Sequence, residues 1–244
     1  MGCTAKASLL SLALLVACFA GSGWAAENNV HESAQEDMSP IIVDHLAPNF
    51  EGEAYVDGSV KRVKLSDFKG KWILLCFYPG DFTYVCATEV AGVIEGYSKL
   101  EDIGVKAVAV SEDSLHSHKV WVETSPAITD ALQKTNRKFP PFPMVSDQTH
   151  VIAKLYGVYD PNTGVATRGR FIIDPDFYVR GYEVLNATVG RNLDETYRQV
   201  QAFQFVRDTG LVTPAGWQPG EPGIAPTIEN AGRIKMLLPA IEGP

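Results

Sequence analysis

The sequence predicts an α/β protein, a central mixed sheet flanked by helices. Three observations carry that expectation. Two short runs dominated by apolar residues, Trp72–Tyr78 and Val105–Val110, have the length and composition of buried strands. Between them Val90, Val93, Ile94, Tyr97 and Leu100 recur at helical spacing, so one face of that helix meets the core. Strand and helix patterns then alternate to the end of the chain, as a layered α/β architecture requires. Periodicity alone leaves several such folds open.

Taken in order, Val60–Leu65 alternates as an exposed strand and ends in a Ser66-Asp67 turn. After the two buried strands, Ser114 to Glu123 reads as a helix and Pro140–Pro143 as a stiff loop. Met144-Val145 is a short strand ending at Ser146-Asp147, with a helix running up to Tyr156. Arg170–Ile173 and Tyr178–Leu185 form a hairpin around Asp174-Pro175-Asp176. Asn192 opens the last helix with Glu195 as capping-box partner, and Leu193, Tyr197, Val200 and Phe203 make its buried stripe. Beyond Gly216 the Pro- and Gly-rich tail is expected to be extended, wrapping a neighbouring surface or staying mobile.

The chain has 244 residues, a formal charge of −8 and 45% hydrophobic residues, which suits one globular domain. That domain is expected over residues 41–210, with a C-terminal extension over 211–244. An acidic balance without a basic block argues against nucleic acid as a partner. Residues 1–26 read as a signal peptide: Lys6 is the positive element, Ala7–Ala20 the apolar region, and small residues follow. Leu15-Val16-Ala17-Cys18 resembles a bacterial lipobox, which would end the signal at residue 17. The expected location is therefore the periplasm or cell surface, with membrane attachment only through a lipid on Cys18. Residues 27–40 form a polar spacer. Nothing after the leader approaches the roughly 18 apolar residues of a membrane span.

Of the four cysteines, Cys3 and Cys18 lie in the leader, leaving Cys76 and Cys86 for the domain. Two thiols make no disulfide framework. Cys86 stands where the Trp72–Tyr78 strand has ended and a helix begins, within Pro79-Gly80-Asp81-Phe82-Thr83-Tyr84-Val85-Cys86-Ala87-Thr88-Glu89. Amides and dipole at a helix start favour an anion, so a thiolate is stabilised there. A cysteine among apolar neighbours is more often a small buried hydrophobe. No His/Cys/Asp cluster has metal spacing and no phosphate-binding glycine loop is present, so neither a metal nor a cofactor is expected.

The whole stretch resembles the active-site signature of the peroxiredoxins, Pro-x-x-x-Thr-x-x-Cys, in the form of the typical two-cysteine (alkyl hydroperoxide reductase) branch. The likeness runs from about Pro48 to Pro222. It implies the thioredoxin fold and a thiol peroxidase of hydrogen peroxide and small organic hydroperoxides. On the matching positions it makes Cys86 the nucleophile, which becomes a sulfenic acid. It has Thr83 hydrogen-bonding sulfur and peroxide, and Pro79 shielding the pocket. The segment Arg168-Gly169-Arg170-Phe171-Ile172-Ile173-Asp174 makes Arg168 the activating cation. Strand alternation sets Arg168 and Arg170 on one face, so pattern cannot separate them; Arg170, where the family has an apolar residue, is expected to be a solvated strand arginine. Glu89 and Arg191 match a supporting hydrogen-bonded pair. His118 and Trp121 match a His-x-x-Trp pattern and read as structural. The family also implies homodimers by edge pairing near Tyr178–Leu185, and decamers as rings of five dimers.

The resemblance breaks at Thr213. Two-cysteine members carry a resolving cysteine in a Val-Cys-Pro segment followed by Trp; here the segment reads Leu211-Val212-Thr213-Pro214-Ala215-Gly216-Trp217. The usual intersubunit disulfide is therefore excluded, and the favoured route is one-cysteine turnover with an external thiol or thioredoxin-like reductant. Cys76 as resolving thiol is the lesser route. The Gly-Gly-Leu-Gly and C-terminal Tyr-Phe elements of peroxide-sensitive members are also absent. Two other functions compete. A thiol–disulfide oxidoreductase is disfavoured because position 83 is threonine and no Cys-x-x-Cys exists. An oligomeric holdase or peroxide sensor gains weight from the missing resolving thiol.

Overall fold

The computed structural model describes residues 40–233. The expected leader, its Cys18 and the last residues of the tail lie outside them. Seven strands form one sheet in the order β2-β1-β5-β4-β3-β8-β9: β1 (Glu51–Val56), β2 (Ser59–Lys64), β3 (Trp72–Phe77), β4 (Val105–Ser111), β5 (Met144–Ser146), β8 (Arg168–Ile173) and β9 (Val179–Leu185). Strands β3, β4 and β5 run parallel, while β8 lies antiparallel to β3 and β9 antiparallel to β8. A separate two-stranded ribbon, β6 (Tyr159–Asp160) with β7 (Val165–Ala166), precedes β8. This is the mixed sheet that the residue pattern predicts, in the thioredoxin-like form that the resemblance implies.

Alternation along β3 splits the core. Leu74 and Tyr78 face α1 (Tyr84–Asp102), α2 (Leu115–Thr124), α3 (Pro126–Lys134) and α5 (Leu193–Thr209); Ile73, Leu75 and Phe77 face α4 (Val151–Leu155) and the N-terminal segment. Helix α1 buries Val90, Ala91, Ile94, Tyr97 and Leu100, the stripe legible in the sequence with Ala91 added and Val93 only partly buried at its edge. Each fully buried Leu or Ile contributes roughly 1.5–3 kcal/mol, so this stripe sets the helix firmly enough to aim its first turn.

The structure corrects several expectations. Residues 126–134, unassigned in the sequence, form α3, which starts with Pro126 as its first helical residue and buries Ile128, Ala131 and Leu132. Strand β1 and the β6–β7 ribbon are likewise additions to the predicted elements. The capping box of α5 is half formed. The Asn192 side chain accepts from the Glu195 amide, but the Glu195 carboxylate turns to Arg198 and Gln199 because a cation is a stronger partner than an amide. Arg170 is not solvated. It is 3% exposed, hydrogen-bonds Thr196 and Gln199 because its face of β8 lies under α5, and forms an ion pair with Glu183 of β9. The tail folds back on its own chain: Val212 pairs with Ile224, Trp217 is buried, and its indole rests on Phe205 of α5 with ring centroids 5.1 Å apart.

Candidate active site

Chain direction brings the site together. Strand β3 ends at Phe77, and the loop Tyr78–Thr83 turns into α1, whose opening turn carries Cys86. Phe82 takes a left-handed backbone (φ 55°), an uncommon conformation for an aromatic residue, directly before Thr83. Thr83 is the N-cap of α1 by position, yet its side chain does not cap the helix. Its hydroxyl donates to the Gly80 carbonyl at 2.9 Å. The expectation that Thr83 bonds the sulfur is thus not met in this state: the hydroxyl has one proton, and the loop carbonyl takes it. Pro79 is half-buried beside the loop.

Cys86 is fully buried, and the Arg168 Nη1 lies 3.3 Å from its sulfur. Arg168 is held from three sides. Nη1 also donates to Glu89 Oε2 at 2.8 Å, while Nε and Nη2 donate to the Ala187 carbonyl at 2.9 and 2.6 Å. Glu89 is shared. Arg191 grips it through Nε, Nη2 and its own backbone amide at 2.7–2.9 Å, and sends Nη1 to the Gly169 carbonyl at 2.7 Å. Burial pushes the Glu89 carboxyl up, but hydrogen bonds and charge from Arg191, then Arg168, outweigh it and hold the carboxyl below its ordinary value. Glycine is needed at 169, since a Cβ there would fall 2.6 Å from Val158 Cγ1.

Four of the six expected site residues, Cys86, Arg168, Glu89 and Arg191, therefore form one connected group. Thr83 and Pro79 stand on the loop above it. The carbonyls of Ala187 and Gly169 are not foreseeable from sequence, because a backbone group leaves no residue-type signal. Arg170, two residues along the same face of β8, reaches α5 instead of the sulfur.

Cys76 sits mid-strand on β3 and opens on a cavity of about 260 Å³ between α1 and the start of α5, which Arg170, Arg191 and Glu89 also line. Burial pushes its thiol up; Arg191 and Arg170 pull it back only in part. Among the described residues no group of three His, Cys, Asp or Glu side chains is placed to hold a metal ion, and no helix is long and apolar enough to cross a membrane.

Residues 43–182 match the AhpC/TSA family, and residues 202–238 match the C-terminal domain of 1-Cys peroxiredoxin. The chain is similar to a selenocysteine-containing peroxiredoxin of Peptoclostridium acidaminophilum, 48% identical over 196 residues that cover 80% of this chain and 94% of that one. It is 39% identical over 228 residues to the mitochondrial thioredoxin-dependent peroxide reductase of Bos taurus, covering 92% and 86%. Among solved structures, the reduced 2-Cys peroxiredoxin of Plasmodium vivax aligns with a TM-score of 0.68 at 33% identity, covering 75% and 93%.

Proposed function

Because this chain belongs to the AhpC/TSA family of peroxiredoxins, thiol peroxidases, we propose that it reduces hydrogen peroxide and small organic hydroperoxides through Cys86 alone. One observation carries the reading: a guanidinium N–H of Arg168 points at the Cys86 sulfur from 3.3 Å, and Glu89 and Ala187 leave that guanidinium no other place to go. A cation at the sulfur favours thiolate over thiol. The thiolate attacks one peroxide oxygen, the O–O bond breaks, and its electron pair leaves on the other oxygen as alkoxide or hydroxide, which takes a proton. Arg168 and the uncapped first-turn amides of α1 face the charge that develops. Thr83 would turn its hydroxyl from Gly80 to the bound peroxide, and Pro79 would keep water out.

Cys86 becomes a sulfenic acid. With threonine at 213 and the Cys76 thiol disfavoured as a nucleophile by burial, two external thiols complete the cycle: the first displaces water and forms a mixed disulfide, the second releases Cys86. The match of the tail to the C-terminal domain of 1-Cys peroxiredoxin supports this route. A thioredoxin-type protein is the reductant class that the family implies. Assembly belongs to the same proposal: β9 is an edge strand with Tyr182 and Val184 exposed, and pairing it with a second copy would make the homodimer from which decamers form. Export is proposed from the leader alone, with membrane attachment only if Cys18 is lipidated.

The test is peroxide consumption over many turnovers with dithiothreitol, comparing wild type, Cys86→Ser and Cys76→Ser. Only Cys86→Ser should stop it. A wild type that reacts once and halts would instead support the sensor or holdase reading.

A further inference from the structure

We infer that His118 is a positioning residue for the peroxide pocket: its imidazole clasps Asp81 and thereby fixes the loop that presents Pro79 and Thr83 above Cys86. The inference rests on the reading of Cys86 as the reacting sulfur, and it adds a residue that acts from outside the arginine network.

The side chains of His118 and Asp81 are both fully buried, and His118 Nδ1 donates to Asp81 Oδ2 at 2.9 Å. The other oxygen of that carboxylate accepts from the Tyr78 hydroxyl at 2.9 Å. Burial, then the Asp81 charge, pushes that hydroxyl well above its ordinary value, so it stays a donor. The Asp81 amide in turn donates to Asp113 Oδ2 at 2.8 Å, and the same oxygen accepts from Ser111 at 2.8 Å. The loop is therefore tied to α2 through His118 and to the end of β4 through Asp113. Trp121, one helical turn after His118, stacks on Tyr78 at 5.9 Å and meets Phe82 at 6.5 Å.

Two details separate positioning from simple packing. Phe82 holds an unfavourable backbone conformation immediately before Thr83, and such a conformation persists only where surrounding contacts over-determine it. The clasp supplies those contacts within one residue of it. His118 also works through one nitrogen only: Nδ1 faces the carboxylate, whereas Nε2 is buried with no partner among the described residues. A ring chosen for shape alone would not need that buried polar atom. The asymmetry makes a sharp prediction, because an asparagine amide reaches the place of Nδ1 and leucine fills the volume without a donor.

The experiment is single-turnover oxidation of Cys86 in the full chain, run beside its alkylation by iodoacetamide, both read on the Cys86 peptide by mass spectrometry. His118→Leu should slow reaction with hydrogen peroxide by about 10- to 100-fold, the scale of a small misplacement of reacting groups. Alkylation needs the thiolate but not the peroxide pocket, so it should change by less than about threefold. His118→Asn should recover most of the peroxide rate. A wild-type rate in His118→Leu overturns the inference, as does a parallel loss of both reactions or a failure of Asn to rescue. Should His118→Leu not fold by circular dichroism, Asp81→Asn, which keeps the shape and removes the charged acceptor, must show the same split. Cys86→Ser that still consumes peroxide would sink the underlying reading instead.

Discussion

Cys86 and Cys76 lie in the same layer, between the sheet and α1, and both feel buried arginines; what differs is how the cation reaches the sulfur. At Cys86 an Arg168 N–H is aimed at the sulfur, on a guanidinium clamped by Glu89 and Ala187. At Cys76 the neighbouring guanidiniums spend their hydrogen bonds elsewhere, Arg191 on Glu89 and Gly169, Arg170 on Asn192, Thr196 and Gln199. Their charge acts on Cys76 at a distance and burial wins, so its thiol is pushed up. A hydrogen bond to a charged group contributes about 1.5–3 kcal/mol, and a helix start about 0.3–1 kcal/mol. A directed donor is therefore the larger of these two influences that a sulfur can meet. What sets Cys86 apart from Cys76 is a donor committed to its sulfur.

The largest test of that contrast is removal of each thiol. Cys86→Ser should lower peroxide consumption by ~10³-fold or more, the scale of losing an activated nucleophile, while Cys76→Ser stays near wild type. Iodoacetamide should likewise label Cys86 in the folded chain and Cys76 only after denaturation, as peptide mass spectrometry would show.

Next comes the donor. Arg168→Met should reduce the peroxide rate constant by ~10²–10³-fold, as loss of one preorganised donor does, and Arg170→Leu should leave it nearly unchanged. Equal losses would erase the distinction between the two arginines.

The shared anchor is third. Glu89→Gln removes a carboxylate that pairs two buried arginines, and leaving such charges unpaired costs about 3–5 kcal/mol of stability. The sign with pH is fixed by the direction of its shift. The carboxyl of Glu89 is held below its ordinary value, so its contribution is complete above the usual glutamate range near ~4.3 and is lost as pH falls through the lowered value. Melting temperatures of wild type and Glu89→Gln should therefore differ most at neutral pH and converge in acid.

A smaller effect belongs to Glu112, which takes no part in the network around either thiol. One of its oxygens accepts from the Ala166 amide and the other is buried without a partner among the described residues. Burial, reinforced by Asp147 and Asp113 against the Ala166 bond, raises its carboxyl to about 7. A raised acid costs stability as pH climbs from its unfolded value towards 7, so Glu112→Gln should gain on wild type as pH rises, melting higher at pH 8 and nearly equally at about pH 4.

The smallest expected effect on activity is Trp217→Ala. It removes the indole that holds the tail on α5 and should expose residues 211–224 to protease while single-turnover oxidation of Cys86 stays unchanged.

Much of the molecule is written in local pattern. The Trp72–Phe77 strand, the α1 stripe and the hairpin at Asp174 follow from runs and spacings of residue types, because burial on one face imposes a period on neighbouring positions. Cys86, Thr83, Pro79 and Glu89 are singled out together by the resemblance of the one short segment in which they lie. Helix α3 escapes that reading although Ser125-Pro126 is a start signal, its stripe being too short to stand out. Arg168 and Arg170 show the boundary most clearly. They share a strand face, and alternation sees them as equivalent; only the placement of α1 and α5 over β8 sends one guanidinium to sulfur and the other to Thr196. The Ala187 and Gly169 carbonyls, the sharing of Glu89 and the burial of His118 against Asp81 likewise came from tertiary structure. Residue types and their periods determined the layers, and the resemblance of one short segment singled out the sulfur. Which long side chain reaches which atom was decided by packing between elements far apart in the chain, where a shift of one residue changes the partner and no local pattern records it.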